Sequence, residues 1–166
     1  AWYTAYTPYQ PEISQGRLEA LFNYQTMIVE LTGMAVANAS LLDEATAAAE
    51  AMTLCERSSK SKSNRFYVAN NLFAQTRAVI ETRALPLDFD LVAFDPHHPP
   101  VFDDAFGLIV QYTGSDGSVV DLKSLIKQAK DQGILTVVAS DILSLTMLEG
   151  PGHFGADICL GSTQRF

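Results

Sequence analysis

The sequence is short of cations and of long apolar runs. It carries 11 Lys and Arg against 19 Asp and Glu, a formal net charge of −8 over 166 residues. Nucleic-acid binding relies on clustered Lys and Arg, so this balance argues against a nucleic-acid partner. No apolar run is long enough to span a bilayer and no secretory leader is recognisable, so we expect no membrane partner either.

Cysteines and common catalytic motifs are scarce. Cys55 and Cys159 are the two cysteines; their spacing fits no metal or redox motif, so we expect buried free thiols in a reducing compartment. The sequence contains no G-x-G-x-x-G, no G-x-x-x-x-G-K-[ST] and no G-x-S-x-G. Adjacent histidines point in different directions, so an exposed loop is favoured over a metal site at His97 and His98. His153, in a Gly-rich loop, is expected to make a structural hydrogen bond.

The composition and the pattern of apolar residues indicate one folded α/β domain. The chain is 48% hydrophobic and 18% charged, as in ordinary globular proteins. Residues 1–16 are rich in aromatic residues and proline, which favours an extended arm. Residues 17–166 are interpreted as a single, incomplete α/β large domain. Because the sequence starts without Met and stops soon after a strand-like segment, we expect it to be a piece of a longer protein.

Apolar strands alternate with amphipathic helices along the domain. Helices are predicted at 17–32, 43–57, 71–83, 121–132 and 141–148, with Asn71 and Asp121 as caps. Strands are predicted at 66–69, 91–94, 108–112, 134–139 and 157–160. Strands that are apolar throughout predict a mostly parallel sheet covered by helices on both faces.

Ligands of parallel sheets bind at the carboxyl ends of the strands. That edge is predicted to carry Asn70, Tyr112, Ser140, Asp141, Gly161, Ser162 and Thr163. Asp141, directly after a buried strand, could pair with a protonated ring nitrogen of a cofactor. The alternative, an N-cap for the helix 141–148, is favoured on local grounds.

The segment "SLLDEATAAAEAM" (residues 40–52) runs from a loop into a helix. A helix N-terminus offers free N–H groups and partial positive charge, so it can bind an anion such as phosphate. Asp43 and Glu44 stand where the anion would bind. Ser40 and Asp43 are both candidate caps.

Three stretches together resemble the glycine cleavage system P-protein family, whose members are pyridoxal-phosphate enzymes. They are "YTPYQPEISQGRLEALFNYQTMIVELTG" (residues 6–33), "NASLLDEATAAAEAM" (38–52) and "PGHFGADICLGSTQRF" (151–166). The resemblance covers both ends of the chain strongly and residues 58–120 only weakly. It implies an aspartate-aminotransferase-like fold. The family enzyme has two homologous halves, on one chain or on two subunits, and this chain resembles the large-domain part of the first.

The resemblance also implies a reaction and its partners. In the family, the second half holds pyridoxal phosphate on a lysine. Glycine loses CO2 there, and its aminomethyl group passes to the lipoyl arm of the H-protein. The implied partners are therefore glycine, the lipoylated H-protein and the catalytic half or second subunit. The implied location is cytoplasmic in bacteria and mitochondrial in eukaryotes.

In this chain the family's cofactor residues are altered, so the resemblance implies that it binds no cofactor. Asp43, Glu44, Ala45 and Thr46 form a degenerate phosphate loop, where a dianionic phosphate would meet like charge. The family usually has Gly at the position of Ala45. Gln164 replaces the cofactor-binding lysine, and a carboxamide cannot act as that nucleophile.

We expect no catalytic residue and no metal site in the chain. A contribution to the partner half's substrate site is predicted for one set of residues: Tyr6, Tyr9, Gln10, Glu12, Arg17, Ser162, Gln164 and Arg165. Two alternatives stay open. The chain could be a purely structural assembly module, or an autonomous pyridoxal-phosphate enzyme of another reaction type, against which the altered cofactor residues argue.

Overall fold

The computed structural model describes residues 9–38 and 40–165. Tyr6 and the other residues before Tyr9 lie outside the described part, as do Ala39 and Phe166. The helices are α1 (Gln15–Thr32), α2 (Glu44–Ser58), α3 (Ala74–Ala84) and α4 (Lys123–Asp131). The strands are β1 (Arg65–Ala69), β2 (Asp90–Phe94), β3 (Gly107–Tyr112), β4 (Leu135–Ser140) and β5 (Ile158–Leu160).

The five strands form one parallel sheet in the order β2-β1-β3-β4-β5. The predicted fold class, a parallel sheet with covering helices, is confirmed. β3 and β4 are the most deeply buried strands, with Leu108, Ile109, Val137 and Val138 fully enclosed. Apart from Gln111, Thr136 and Ser140 both strands are apolar, because helices cover both of their faces.

Small residues let α2 lie close to the sheet. Five of its alanines are buried, Ala45, Ala47, Ala48, Ala49 and Ala51. On the strand side, a Cβ added to Gly107 would lie only 2.9 Å from the Cβ of Cys55 and 2.8 Å from the ring of Phe66. Burial raises the pKa of Cys55 to about 12 and that of Cys159 to about 11, so both free thiols stay protonated at neutral pH.

Two predicted helix starts are wrong. α3 begins at Ala74 after Phe73, and Asn71 does not cap it. The Asn71 side chain instead donates to the carbonyl oxygen of Gln111 at 2.9 Å and accepts from the Gln111 N–H at 3.2 Å. For α4 the N-cap position is Leu122, and the Asp121 carboxylate accepts from the N–H of Lys123 at 3.1 Å. The spacing of residues in the sequence does not reveal that the Asn71 side chain bonds the backbone N–H and carbonyl of Gln111 in a neighbouring strand.

The helix predicted at 141–148 is also wrong, because this segment contains only a 3-10 turn at Ser144–Thr146. Hydroxyl groups compete with the helical hydrogen bonds there. Ser144 Oγ donates to the Asp141 carbonyl at 2.7 Å, and Thr146 Oγ1 donates to the Leu143 carbonyl at 2.8 Å.

The N-terminal arm also differs from the extended segment that we expected, since Pro11–Ile13 forms a 3-10 turn and α1 begins at Gln15.

Replacing Asn71 with Ala is expected to lower the free energy of unfolding by about 1–3 kcal/mol, because it leaves the buried N–H and carbonyl of Gln111 without their side-chain partner. Asn70→Ala is the control, since Asn70 is exposed. Urea unfolding of the variants measures the difference. Equal, small effects of the two substitutions would contradict the bridging role of Asn71.

Candidate functional site

The candidate site lies at the carboxyl ends of the strands, where the strand order reverses. β1 leads through α3 to β2 on one side, whereas β3, β4 and β5 lie on the other side. The crevice at such a reversal is where parallel sheets bind ligands. Here Asn71 bridges the ends of β1 and β3 through its two hydrogen bonds to Gln111.

The N-terminus of α2 is capped by the chain's own carboxylate. Asp43 is the N-cap, and its Oδ1 accepts from the N–H of Thr46 at 2.7 Å. This hydrogen bond is the main reason why the pKa of Asp43 lies below its usual value. Of the two candidate caps, Asp43 is therefore the one used, and the N–H of Thr46 is already engaged.

Glu44, the first residue of α2, is half-buried beside this cap. The hydroxyl of Thr76 donates to its Oε1 at 3.4 Å. Burial raises the pKa of Glu44, and the charge of Asp141 raises it further, while Thr76, Gln111 and the Ser162 backbone oppose the shift. The surroundings of Glu44 therefore disfavour the ionised form of its carboxyl group.

Gln111 brings a buried amide to the same region. It is 1% exposed, and neither amide atom makes a hydrogen bond of acceptable geometry with the described residues. Its amide is nonetheless near enough to favour the ionised form of Glu44. We take the contact between the two side chains as electrostatic and not as a formed hydrogen bond.

Residues 161–165, here called the strap, cross the end of β4. A Cβ added to Gly161 would lie 2.0 Å from the carbonyl oxygen of Ser140, so only glycine lets the backbone pass this close. Within the strap the N–H of Gln164 donates to Ser162 Oγ at 3.3 Å. Arg165 then reaches back to Asp141, with Nη2 to Oδ2 at 3.0 Å.

These residues do not fit pyridoxal phosphate. Asp43 and Glu44 put two carboxyl groups at the N-terminus of α2, where a phosphate would meet like charge, and the cap engages the N–H of Thr46. The guanidinium of Arg165 pairs with Asp141, the carboxylate considered for a ring nitrogen. Asp141 caps a turn rather than a helix, accepting from the N–H of Leu143 at 3.1 Å. The strap contains no lysine.

The predicted substrate-site residues fall into two groups on different elements. Tyr9, Gln10, Glu12 and Arg17 are exposed at or just before the start of α1, and Tyr9 is 74% exposed. Ser162, Gln164 and Arg165 lie in the strap at the sheet edge. Tyr6 lies outside the described residues. Their joint role in one site therefore stays a prediction.

Sequence reasoning missed Thr76 and Gln111 as members of the edge cluster. Thr76 is fully buried and contacts Glu44, although it lies early in an ordinary surface-type helix. The sequence did contain a sign of the role of Gln111, because it is the one strongly polar side chain in an otherwise apolar strand, Gly107–Tyr112.

The histidines take up local contacts. His98 Nδ1 lies 3.0 Å from Asp95 Oδ2 in an exposed loop. The His153 ring packs under Gly33, where an added Cβ would lie 2.8 Å from it. Within residues 9–38 and 40–165, no three His, Cys, Asp or Glu side chains are grouped so that they could hold a metal ion. In the same ranges no helix is both long and apolar enough to cross a membrane.

A cavity of about 590 Å³ opens between α1, α2 and the outer strand β5. Its lining includes apolar side chains from all three elements, among them Ile28, Leu54 and Ile158. Thr32 is the one buried residue of α1. Phe22 is 67% exposed and Leu42 is 85% exposed. Apolar side chains of α1 and of the segment before α2 therefore remain exposed.

Glu44→Gln is expected to stabilise the fold at pH 7. Because the pKa of Glu44 is raised above 4.5 on folding, the folded state holds this proton more tightly than the unfolded state. The carboxylate therefore begins to oppose folding as the pH rises past its unfolded pKa, and it does so fully above its folded pKa. The gain from Gln should develop as the pH rises above about 4.5 and be absent below it, as measured by urea unfolding across pH.

Asp43→Asn is the matched control with the opposite sign. The pKa of Asp43 is lowered on folding, so its carboxylate stabilises the fold above pH 3.8, and this contribution is lost as the pH falls through the folded pKa. Asn should therefore lower stability at pH 7. A Glu44→Gln protein that was less stable at pH 7 than the unsubstituted protein would contradict our assignment.

Comparison with known proteins identifies the family to which the chain belongs. The family model described as "Glycine cleavage system P-protein" matches residues 1–166. Glycine dehydrogenase (decarboxylating) of Nitrobacter winogradskyi is 61% identical over 166 residues, and that of Agrobacterium fabrum is 57% identical over 166 residues. In both cases the match covers 100% of this chain but 17% of the relative, so the chain spans about a sixth of their length.

Comparison with solved structures supports the same family and shows the fold. A crystal structure of glycine decarboxylase (P-protein) of the glycine cleavage system, in inhibitor-bound form, superposes with a TM-score of 0.87 at 38% identity, covering 98% of this chain and 38% of that chain. A cystathione gamma lyase from Micromonospora echinospora matches with a TM-score of 0.70 at 18% identity, over 86% of this chain and 37% of that chain, which shows the fold alone. The expected aspartate-aminotransferase-like fold is confirmed, and the chain belongs to the glycine cleavage system P-protein family.

Proposed function

We propose that this chain is part of the large domain of the non-catalytic N-terminal half of a glycine dehydrogenase (decarboxylating), the glycine-decarboxylating component of the glycine cleavage system. In this proposal pyridoxal phosphate is held by the partner half, on the same chain or on a second subunit. The cofactor supplies an electron sink for the carbanion formed when glycine loses CO2. This chain supports that site without holding the cofactor itself.

The observation that carries the proposal is the state of the α2 N-terminus. Its cap carboxylate is satisfied internally by the N–H of Thr46. The neighbouring Glu44 is half-buried and close to Asp141, so a phosphate there would add negative charge to an acidic cluster. Gln164, at the position where the family's other half has lysine, supports the same conclusion.

The apolar surface supports a role in assembly. The 590 Å³ cavity beside β5 and the exposed face of α1 would be buried against further parts of the longer protein. Further proposed partners are glycine and the lipoylated H-protein. Since the relatives described above are bacterial, we propose a cytoplasmic location.

Two other functions are distinguished by experiment. A purely structural module would contribute no residue to the chemistry, and substitutions in the arm would then leave kinetics unchanged. An autonomous pyridoxal-phosphate enzyme would carry the cofactor on one of the chain's own lysines, Lys60, Lys62, Lys123, Lys127 or Lys130. Lys123 pairs with Glu149 at 2.6 Å, and Lys130 donates to the Gly155 carbonyl at 2.8 Å.

Borohydride reduction of the complete holoenzyme tests which half holds the cofactor. Reduction fixes pyridoxal phosphate to its lysine, and peptide mapping then locates the modified residue. We expect the label outside residues 1–166, because the strap has no lysine and the α2 N-terminus is blocked. A stoichiometric label on any of the five lysines of this chain would contradict the proposal. Brief reduction at low cofactor excess controls for adventitious surface labelling.

Substitutions in the arm test whether this half contributes to substrate chemistry. Tyr9→Phe in the complete enzyme removes one hydroxyl, and we expect it to lower kcat for glycine decarboxylation more than it lowers thermal stability. A neutral hydrogen bond that was merely structural would be worth only about 0.5–1.5 kcal/mol. Tyr24→Phe, on α1 beside the apolar cavity, is the matched control.

The outcome of the arm experiment separates the two roles. A selective loss of kcat in Tyr9→Phe, absent in Tyr24→Phe, supports a contribution to the site. If Tyr9→Phe, Gln10→Ala and Arg17→Ala all left kcat and KM for glycine unchanged, the arm would be a packing element. The chain would then be a structural module.

A further inference from the structure

The strap brings a cation to an acidic edge. Asp141 follows β4 directly, and its side chain is 26% exposed. Glu44 is half-buried nearby, and its pKa is raised partly by the negative charge of Asp141. Two carboxyl groups close together repel each other unless a cation lies beside them. Arg165 supplies that cation at 3.0 Å from Asp141.

The backbone course of the strap depends on close contact with β4. Gly161 passes over the Ser140 carbonyl at a distance that excludes any side chain. The Ser162 N–H then lies close enough to Glu44 to favour its ionised form. Ser162 Oγ accepts from the N–H of Gln164 at 3.3 Å, which turns the chain back toward Asp141. The strap therefore crosses from the end of β5 over the end of β4.

The geometry points to Arg165 as a positioning residue, whose ion pair with Asp141 fixes the strap across the carboxyl edge of the sheet and so fixes the positions of Ser162 and Gln164. Gly161 anchors one end of the strap by close packing, and Arg165 anchors the other by charge. The guanidinium is suited to this task because it stays charged and offers several donors to one carboxylate.

This role deepens the proposed function, because the strap carries three of the residues predicted to contribute to the substrate site, Arg165 itself among them. Its test does not depend on that function. Hydrogen exchange reads the motion of the strap itself, whichever half holds the cofactor. The Arg165 side chain is 61% exposed, so we expect a modest ion pair whose effect is local order and not global stability.

The experiment is a double-mutant cycle by hydrogen-exchange mass spectrometry on the complete enzyme. Arg165→Gln and Asp141→Asn should each accelerate exchange of peptides covering residues 161–165 by about two- to fivefold. The double variant should exchange no faster than the faster single variant, because the same interaction is lost. Arg165→Lys should restore part of the protection, since the charge is kept.

Arg83→Gln is the matched control. Arg83 is a similarly exposed arginine that pairs with Glu50 at 3.7 Å on the helical layer. Its loss should leave exchange of the strap unchanged. Single-variant effects that multiply in the double variant would overturn the proposal, as would unchanged exchange in Arg165→Gln. Asp141→Asn provides a second route to the same answer if the arginine variant is poorly produced.

Discussion

The hydrogen bond from the Thr46 N–H to the Asp43 carboxylate determines what the carboxyl edge of this sheet can do. A helix N-terminus above the ends of parallel strands is a ready anion site, because its N–H groups have no partners within the helix. Here the chain supplies its own anion. With Glu44 next to it and Asp141 close by, the edge becomes an acidic cluster, in which Arg165 pairs with Asp141.

The remaining architecture makes this arrangement possible. The buried alanines of α2 let the helix lie close to the sheet, which brings Glu44 near Thr76 and Gln111. Gly161 lets the backbone after β5 pass over β4, and that course carries Arg165 to Asp141. Asn71 satisfies the backbone of Gln111 and joins β1 to β3 at the point where the strand order reverses. At this edge Asp43 engages the N–H of Thr46, and Arg165 pairs with Asp141.

The sequence predicted the helices and strands better than the side-chain contacts at the carboxyl edge of the sheet. All five strands and four helices were predictable, because apolar runs such as residues 134–139 and the spacing of Leu125, Ile126 and Ala129 report burial directly. The helix predicted after Asp141 does not form, because the hydroxyl groups of Ser144 and Thr146 donate hydrogen bonds to nearby backbone carbonyls. The Asn71 bridge, the Thr76 contact and the Arg165 ion pair join residues between 24 and 40 positions apart. Local patterns carry no information about such pairs, although Asp43 as a cap was predictable from its position before α2.

The proposal on which the rest depends is that this chain holds no cofactor of its own. Its most direct test is the amount of pyridoxal phosphate bound per complete set of two halves, measured by alkaline release from the purified holoenzyme and quantitative amino-acid analysis. The account predicts one cofactor per pair of halves. Two cofactors per pair of halves would contradict it.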